Sequence, residues 1–256
     1  MSRLAVRELH RRGDLEAVQE LARRVWRFED RQLPSTSDLQ VVGHVGGLTA
    51  GAFLGGAMVG FVHGLPRTNL EAPCHHSHML AVDPAFRRRG VAVRLKLFQR
   101  AWCLERGIRR VTWTYDPLLV GNALLNLVRL RARAWRFLAD AYGPLGGLYG
   151  GLPTDRFEVL WRLDAPDVAR AAGGAPPRPV DARRLPRARP GSLPRDRRIA
   201  VEIPAGAPAF YAADPEGAVR ARARLRRISS ALFSRGYEAV SLAPSDGTAL
   251  YVFARP

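Results

Sequence analysis

A run of six residues, Arg87-Arg88-Arg89-Gly90-Val91-Ala92, joins three permanent positive charges to a glycine and a small alanine. It follows an alternating segment that ends at Asp83-Pro84, and it precedes an amphipathic stretch that ends near Gly107. A helix start offers unpaired backbone N–H groups and the positive end of the helix dipole, and a glycine lets a ligand approach the backbone. The pattern therefore predicts a helix start that binds phosphate groups.

The helix that follows Gly90 should bury one face. The apolar residues at helical spacing on that face are Val91, Leu95, Phe98 and Trp102. The basic residues of the same stretch are predicted to lie mostly off this face, and they are Arg94, Lys96 and Arg100.

Histidines lie just before the basic loop, on the predicted strand His76–Val82. Imidazole titrates in the range that suits a general base. On an extended strand, side chains at 76, 78, 80 and 82 share one face, so His76 and His78 are the candidate bases, with His78 placed best. His75 and His63 are placed less well, and each of the four could instead be a hydrogen-bonded, half-buried histidine. A zinc site from 75, 76 and 78 is an alternative, but no cysteine or acid completes a recognised ligand spacing, so no metal is predicted.

The rest of the first 164 residues predicts a mixed α/β domain. The expected strands are Leu4–Leu9, Gly47–Leu54, Met58–Leu65, Val111–Tyr115, Ala134–Tyr142 and Phe157–Leu163. A helix is expected after a cap at Asp14, a second at Asn122–Leu130, and Ser37–Val42 stays unassigned. Val41–Pro66 carries no charged side chain, but Gly55-Gly56 in its middle predicts a hairpin instead of a membrane span.

The segment 165–197 has a different composition. It holds seven prolines, many arginines and few large apolar residues, which predicts a flexible linker. After it, a strand at Ile199–Ile203, a helix that starts at Asp214-Pro215-Glu216, and a hairpin across Ser245-Asp246-Gly247 predict a small β-α-β-β domain at 198–256. Such a unit is too small to hold much core alone, so it should dock on the first domain or on a second subunit, which would make a homodimer.

Composition limits the function classes. The net charge of +17 invites a nucleic-acid partner. However, Lys96 is the only lysine, and the arginines spread over the whole chain without interleaved aromatic residues, so nucleic acid is not expected as the main partner. The seven arginines between Arg183 and Arg198 remain the segment that could grip phosphates. Two cysteines without disulfide or metal spacing, and no signal-like N-terminus, favour the cytoplasm.

The sequence resembles a known family. Arg87-x-x-Gly90-x-Ala92 after Met79-Leu80-Ala81-Val82-Asp83-Pro84 is similar to the acetyl-CoA signature of the GNAT superfamily, and the order of elements is similar over residues 4–163. A bacterial subfamily of GNAT proteins carries still closer motifs: His76-Ser77-His78-Met79-Leu80, Trp113-Thr114-Tyr115-Asp116-Pro117-Leu118, Asn122-Ala123-x-x-Asn126-Leu127, Gly151-Leu152-Pro153-Thr154-Asp155-Arg156-Phe157 and a tail like Val201-Glu202-Ile203-Pro204.

The resemblance implies an acyl-CoA-binding domain at 1–164 with a mixed central sheet flanked by helices. Arg87 and the amides around Arg88, Arg89, Gly90, Val91 and Ala92 would hold the pyrophosphate of acetyl-CoA or another acyl-CoA. The backbone of Leu80, Ala81 and Val82 would pair with the pantetheine arm, and the Asn122 side chain would reach the same arm.

One position departs from the family pattern. Many members carry a tyrosine about seven residues after the asparagine, as the acid for the leaving thiolate, whereas Arg129 and Leu130 stand here. Tyr115 at the end of a strand could replace it, with Tyr142 as a second candidate, although strand-end tyrosines are often core or rim residues. Asp116 is expected to cap a turn, and Asp155-Arg156 could be a structural ion pair or a substrate clamp.

The predicted function is transfer of an acetyl or other short acyl group from coenzyme A to an amine of a small molecule or peptide, the reaction of an N-acyltransferase of class EC 2.3.1. A large apolar acceptor or a longer acyl chain is also compatible, because the hairpin and the segment Leu145–Leu152 are apolar and rich in glycine. Two alternatives remain open at this point: a non-catalytic acyl-CoA-binding module, and an arginine-rich protein associated with nucleic acid.

Overall fold

A computed structural model describes residues 3–69, 72–143, 152–177, 179–206, 211 and 213–255. The chain forms two compact units, Met1–Trp113 and a second one that comprises Thr114–Leu145 and Gly151–Pro256. The division falls inside one strand, whereas the sequence places a domain boundary near Asp164. Of the predicted apolar segment Leu145–Leu152, all but the last residue lies outside the described residues.

The first unit contains a sheet with helices on both of its faces. Its elements in chain order are β1 (Ala5–Glu8), α1 (Arg12–Trp26), α2 (Thr36–His44), β2 (Leu48–Leu54), β3 (Ala57–Arg67), β4 (Cys74–Val82), α3 (Val91–Glu105) and the start of β5 (Arg110–Tyr115). The strands lie in the order β1-β2-β3-β4-β5, and all neighbours are antiparallel except β4 and β5. The predicted α/β class, a mixed sheet flanked by helices, is confirmed.

Two neighbouring residues of β3 show how the helices are distributed over the sheet. Phe61 packs in a buried cluster with the apolar face of α1, whereas a side chain at Gly60 would meet Val91 and Leu95 of α3. Because successive residues of a strand point to opposite faces, α1 and α3 cover opposite faces of the sheet.

The predicted hairpin is present, with Gly55 and Gly56 at positive φ between β2 and β3. Two details near the N-terminus differ from prediction. Asp14 does not cap α1, which begins at Arg12; its carboxylate instead binds the Arg7 guanidinium, with both N–O distances 2.8 Å. The unassigned Ser37–Val42 segment is part of α2, because the Ser35 hydroxyl accepts a hydrogen bond from the Asp38 amide and caps this helix.

The second unit contains five further strands, and one long helix packs on them. Its elements after β5 are α4 (Val120–Ala123), a π-helical turn (Leu124–Arg129), β6 (Arg133–Leu138), β7 (Arg156–Arg162), α5 (Pro166–Ala172), β8 (Arg198–Pro204), α6 (Pro215–Ser234), β9 (Glu238–Ser245) and β10 (Thr248–Ala254). The strands lie in the order β7-β6-β9-β10-β8, all antiparallel. The predicted β-α-β-β order of the C-terminal part is therefore present.

The C-terminal part is joined to β6 and β7 instead of standing alone. Ala239 of β9 pairs with Ala134 of β6, so the hairpin continues the sheet that β6 and β7 begin. This pairing gives the small C-terminal part a larger core than it could build by itself. It also explains why the second unit begins before the boundary that composition suggests.

The proline-rich segment is folded onto the second unit over much of its length. It contains α5, and Ala182 is buried against Leu250 and Val252 of β10. The amide of Ala188 donates to the carbonyl of Ala200 at 2.9 Å, which adds a short bridge beside β8. A flexible linker over 165–197 is therefore wrong for these parts, because Val180, Ala182 and Leu185 pack on β10, a contact that composition alone does not reveal.

Among the described residues, no helix combines the length and apolar character that a membrane crossing requires.

Candidate functional site

The helix start at Gly90 is built as the sequence predicts. Gly90 is the N-cap of α3, with φ of 79° and ψ of 1°, and the first intrahelical bond is from the Arg94 amide to the Gly90 carbonyl at 3.0 Å. The amides of Val91, Ala92 and Val93 therefore precede the first helical bond and are available to a ligand. No acidic residue lies in the first turn, and an added side chain at Gly90 would meet open space. These are the features of an anion site.

Two contacts hold this helix start in place. Asp83 accepts a hydrogen bond from the Ala85 amide at 3.0 Å and opens a short 3₁₀ turn before the loop. On the other side, Gly60 of β3 lets Val91 and Leu95 approach the sheet, since a methyl group there would lie 3.0 and 3.1 Å from their side chains. Gly60 is a residue that the sequence analysis missed; a glycine inside a strand is the signal for such a close approach.

The arginines of the loop are exposed and oriented by local contacts. Arg87 donates through Nε to the Val82 carbonyl at 3.3 Å, Arg88 has φ of 61°, and the Arg89 guanidinium lies 5.5 Å from the Phe86 ring centroid. Within the described parts of the chain, no carboxylate lies within ion-pair distance of these three side chains. Their charges are therefore directed to solvent, where an anion could bind them.

The edge of β4 that faces β5 is open beyond His76. The parallel pairing runs from Cys74 with Arg110 to His76 with Thr112, and no further pair with β5 occurs in the described residues. The Asp83 backbone amide donates to the Val59 carbonyl at 3.0 Å, so the backbone groups of 79, 81 and 83 point to β3. Those of Leu80 and Val82 consequently point to the open edge, where a ligand chain can pair with them.

Ala81 differs from its two neighbours. Its backbone pairs with Phe61 of β3, and its side chain is buried in the cluster beneath α1. Of the three residues predicted to pair with the pantetheine arm, only Leu80 and Val82 have backbone groups on the open side.

A β-bulge changes which side chains of β4 share a face. Between the pairs His63–Met79 and Leu65–His76, β3 advances by two residues and β4 by three, so β4 carries one extra residue. The prediction that His76 and His78 share a face with Leu80 and Val82 is therefore wrong. The extra residue places the two histidines on the face of α1 and leaves Val82, opposite Gly60, on the face of α3.

Three histidines gather on the α1 side of the sheet near the bulge. The ring centroids of His76 and His78 are 6.3 Å apart, and so are those of His63 and His78. His76 Nδ1 shares a hydrogen bond with the Thr112 hydroxyl at 3.1 Å, and His63 Nδ1 shares one with the Thr49 hydroxyl at 2.8 Å. His63 is buried, His76 is half-buried and His78 is exposed. His78 is thus the ring that a substrate can reach.

These three imidazoles are held neutral near pH 7. Burial, and secondarily the neighbouring His78, lower the pKa of His63 to about 4. Burial also lowers the pKa of His76 to about 4, with further contributions from His78, Arg67 and Lys96. Desolvation lowers the pKa of His78 from its usual 6.5. A neutral imidazole has a lone pair that accepts a proton, which is the state that a general base requires.

His75 points to the other side of the sheet. Its ring is fully buried, its Nε2 lies 3.0 Å from Gln99 Nε2 of α3, and burial lowers its pKa to about 3. Neighbouring residues of a strand diverge, so His75 is not placed with His76 and His78 to share a metal ion. Among the described residues, no three His, Cys, Asp or Glu side chains are arranged to hold a metal.

Tyr115 belongs to the core of the second unit. Its hydroxyl lies 3.3 Å from the Tyr251 hydroxyl, its ring packs on Phe157, and burial raises its pKa. The burial of Tyr115 corrects the prediction that it acts as the acid for the leaving thiolate, because a buried phenol is out of reach of a substrate. Tyr142 is partly exposed and shares a hydrogen bond with Thr114 at 2.7 Å, and Asn122 is exposed on α4.

The acidic residues of the second unit have structural roles. Asp116 accepts from the Leu118 amide at 3.0 Å, as a turn cap does, and it is also buried against Arg222 of α6, with Nη2 at 2.8 Å from Oδ2. Arg156 Nη1 donates to the backbone carbonyl of Asp155 at 2.9 Å, whereas the Asp155 carboxylate binds other groups. Asp155 binds Arg226 of α6 and the Asp140 amide, and Arg156 lies 3.9 Å from Asp116.

The part of the chain that carries this geometry matches a known family. Residues 15–122 match the family model described as the acetyltransferase (GNAT) family. The match contains the open edge of β4, the loop at Arg87–Gly90 and the start of α3. Residues 15–122 are a GNAT domain. The predicted membership of this superfamily is confirmed, and with it acyl transfer from coenzyme A; the predicted subfamily stays a prediction.

Solved structures support the fold of the GNAT domain. The ribosomal-protein-S18-alanine N-acetyltransferase of Escherichia coli is 16% identical, with 64% of this chain and 96% of that chain covered and a TM-score of 0.50. An N-acetyltransferase from Staphylococcus aureus Mu50 is 14% identical over 64% and 100%, with a TM-score of 0.51. The protein yncA of Salmonella typhimurium, described with its cofactor acetyl-CoA, is 14% identical over 63% and 94%, with a TM-score of 0.51. At these identities the likeness shows the fold. No curated protein matches the chain.

The GNAT domain also contains buried polar residues that the sequence analysis missed. Lys96 is only 1% exposed and Gln99 is fully buried, both on the inner face of α3, whereas Phe98 is only half-buried. The prediction that Lys96 lies off the buried face is therefore wrong. Lys96 and Gln99 lie at positions i and i+3 of one helix, and their partners on β4, Ser77 for Lys96 and His75 for Gln99, are set by the tertiary structure.

Proposed function

We propose that the chain is an acyl-CoA-dependent N-acyltransferase that moves an acetyl or other short acyl group to an amine. The observation that carries the proposal is the open edge of β4 together with the start of α3, whose first amides have no side-chain cap. An extended ligand with a pyrophosphate at one end and amides along its arm matches both surfaces at once. The exposed His78 lies on the same strand, two residues before Leu80.

The binding residues follow from the backbone groups at the open edge and at the helix start. The amides of Val91 and Ala92, with the guanidinium charges of Arg87, Arg88 and Arg89, would hold the pyrophosphate. Leu80 and Val82 would pair with the pantetheine arm through the backbone groups that point to the open edge, where the Val82 carbonyl also accepts from Arg87 Nε. The role of Asn122, which the family resemblance implies as a side-chain amide for the pantetheine arm, stays a prediction from the sequence.

The chemistry is attack of the acceptor nitrogen on the thioester carbonyl. The C–N bond forms, the C–S bond breaks, and the sulfur leaves as the thiolate of coenzyme A. We assign His78 as the base that takes the amine proton, and His76 as its neighbour, oriented through Thr112. Proton transfer of this kind contributes about 10²–10⁴-fold to the rate, and positioning of the reactants contributes roughly 7–11 kcal/mol.

We do not assign Tyr115 as the acid that protonates the leaving thiolate. Because this tyrosine is buried and the family's usual tyrosine position holds Arg129 or Leu130, a second candidate function is a non-catalytic acyl-CoA-binding module. The class of acceptor, the cytoplasmic location of the protein and a homodimer remain predictions from the sequence.

Calorimetry with acetyl-CoA, together with a thiol-release assay over a library of amines, tests the proposal. The wild-type protein should bind acetyl-CoA and release thiol in the presence of an acceptor. His78→Ala should bind acetyl-CoA with unchanged affinity and lose roughly 10²-fold or more of its turnover. His10→Ala, a change of the same type at a surface histidine of the first unit, is the control.

Each outcome of these measurements distinguishes one function. Binding without acceptor-dependent release would favour the binding module, and absence of acetyl-CoA binding would contradict both functions. Full turnover in His78→Ala would remove His78 as the base while leaving the transfer reaction in place.

A further inference from the structure

A buried polar network connects α3 to the bulged part of β4. Lys96 Nζ donates to the Ser77 hydroxyl at 3.0 Å and to Gln99 Oε1 at 2.8 Å, and it lies 3.6 Å from the ring centroid of Trp113. The Gln99 amide continues the network to His75 Nε2. All of these side chains are at least nine-tenths buried.

The contacts of Lys96 match the shape of an ammonium group. An ammonium has three N–H donors, and the hydroxyl, the amide oxygen and the face of the indole are three groups that accept them. The arrangement costs free energy, because burial lowers the pKa of Lys96 to about 7. Methionine would fill similar volume without that cost. A buried lysine that carries this cost, and that is the only one in the chain, points to a role for its hydrogen bonds with Ser77 and Gln99.

The position of Ser77 suggests what that role is. Ser77 lies between His76 and His78, in the stretch of β4 that carries the extra residue. Its side chain points to α3, whereas the two histidine rings lie on the opposite face. A hydrogen bond to Ser77 therefore restrains the backbone that aims both rings, without any contact between Lys96 and the open site.

The same lysine belongs to the helix that starts at Gly90. The hydrogen bond from Lys96 to Ser77 thus sets the distance between the phosphate-binding amides and the bulge.

We propose that Lys96 is a positioning residue, which holds Ser77 and thereby orients His78 relative to the helix start. The proposal rests on the proposed function of His78 as the base. It assigns Lys96, Ser77 and Gln99 to the transfer reaction although none of them faces the site.

Isotope labelling tests this directly. Because Lys96 is the only lysine, labelled lysine gives a single side-chain signal whose titration reports its environment, and labelled histidine reports the ring of His78. Ser77→Ala removes the acceptor but keeps the ammonium, and it should shift the pKa and chemical shift of His78. Lys96→Met should produce the same shift, and the double variant should add little to either single change. Arg94→Met, at an exposed position of the same helix, is the matched control.

Activity measurements separate positioning from a general structural role. With an acceptor identified, Ser77→Ala and Lys96→Met should lose turnover, up to about 10²-fold, while the affinity for acetyl-CoA changes by less than about twofold. His78 is the informative ring, because Lys96 also lowers the pKa of His76 directly through its charge.

Unchanged His78 signals in Ser77→Ala and Lys96→Met would overturn the proposal. If Lys96→Met does not fold, Ser77→Ala alone decides it. Absence of acetyl-CoA binding by the wild-type protein would instead remove the proposed function, and the histidine measurement would still show whether Lys96 restrains the bulge.

Discussion

The loop of the GNAT domain and the core of the second unit use charged side chains in opposite ways. Arg87, Arg88 and Arg89 are exposed, and no carboxylate in the described residues pairs with them. In the second unit, Arg222 is 3% exposed and binds the buried Asp116 through both of its terminal nitrogens. The Tyr211 hydroxyl donates to the same carboxylate at 3.4 Å. The exposed loop charges have no carboxylate partner among the described residues, whereas the buried charge is paired with one.

The largest expected effect is at the phosphate-binding end of this comparison. Gly90→Asp should weaken acetyl-CoA binding by more than about 100-fold, because a carboxylate would face the pyrophosphate and like charges in contact cost several kcal/mol. Gly107→Asp is the control. It lies at the other end of α3, with φ of 72° and open space around it, so both variants carry the same backbone strain. Calorimetry that finds equal affinity in the two variants would contradict the pyrophosphate site.

The buried ion pair should have the largest effect on stability. Asp116→Ala leaves the Arg222 guanidinium buried without its carboxylate, and removal of one partner of a buried pair costs about 3–5 kcal/mol. Urea unfolding at pH 7 measures the change. A loss below about 1 kcal/mol would show that water or a neighbouring group replaces the carboxylate.

Lys96 extends the comparison to a buried cation in the GNAT domain. Its pKa in the folded state, about 7, is below the usual 10.5, so the unfolded chain binds the extra proton between these values. The free energy of unfolding should therefore rise between about pH 7 and about pH 10.5, by up to about 1.4 kcal/mol per pH unit. Below pH 7 Lys96 is protonated in both states, so its destabilising contribution is at its maximum and no longer changes with pH. The difference in unfolding free energy between wild-type and Lys96→Met isolates this contribution. A pH-independent difference would mean that Lys96 keeps an ordinary pKa.

The smallest expected effect is at a surface pair of the second unit. Asp181 and Arg184 are 3.0 Å apart, with side chains that are more than half exposed. Asp181→Ala should change the free energy of unfolding by less than about 1 kcal/mol, because exposed pairs gain little in water. Measured beside Asp116→Ala, it shows that burial, and not the presence of a carboxylate, sets the size of the effect.

Much of the fold of both units could be read from local patterns. Gly90 before an amphipathic helix, Gly55-Gly56 between two strands, and Asp214-Pro215 before α6 each act within a few residues, and each is found in the structure. The cap at Asp214 is typical, since its carboxylate accepts from the Gly217 amide at 2.8 Å.

The candidate site was only partly predictable. The loop and the backbone of Leu80 and Val82 were identified, but the face of the histidines was wrong. A single extra residue in β4 reverses the alternation, and nothing in the local composition around Ser77 and His78 marks where it lies. Lys96 was missed for a related reason, because helical spacing assigns a charged residue to the surface unless a buried partner is known.

By itself, the sequence determined the order of elements, the helix start that suits a pyrophosphate and the resemblance to GNAT acyltransferases, because these depend on residues close together in the chain. Only the tertiary structure decided which histidine is exposed, where β4 and β5 separate, that Tyr115 is buried, and that β9 pairs with β6. Those outcomes depend on contacts between distant segments, whose burial and hydrogen bonding outweigh the preferences of any single segment.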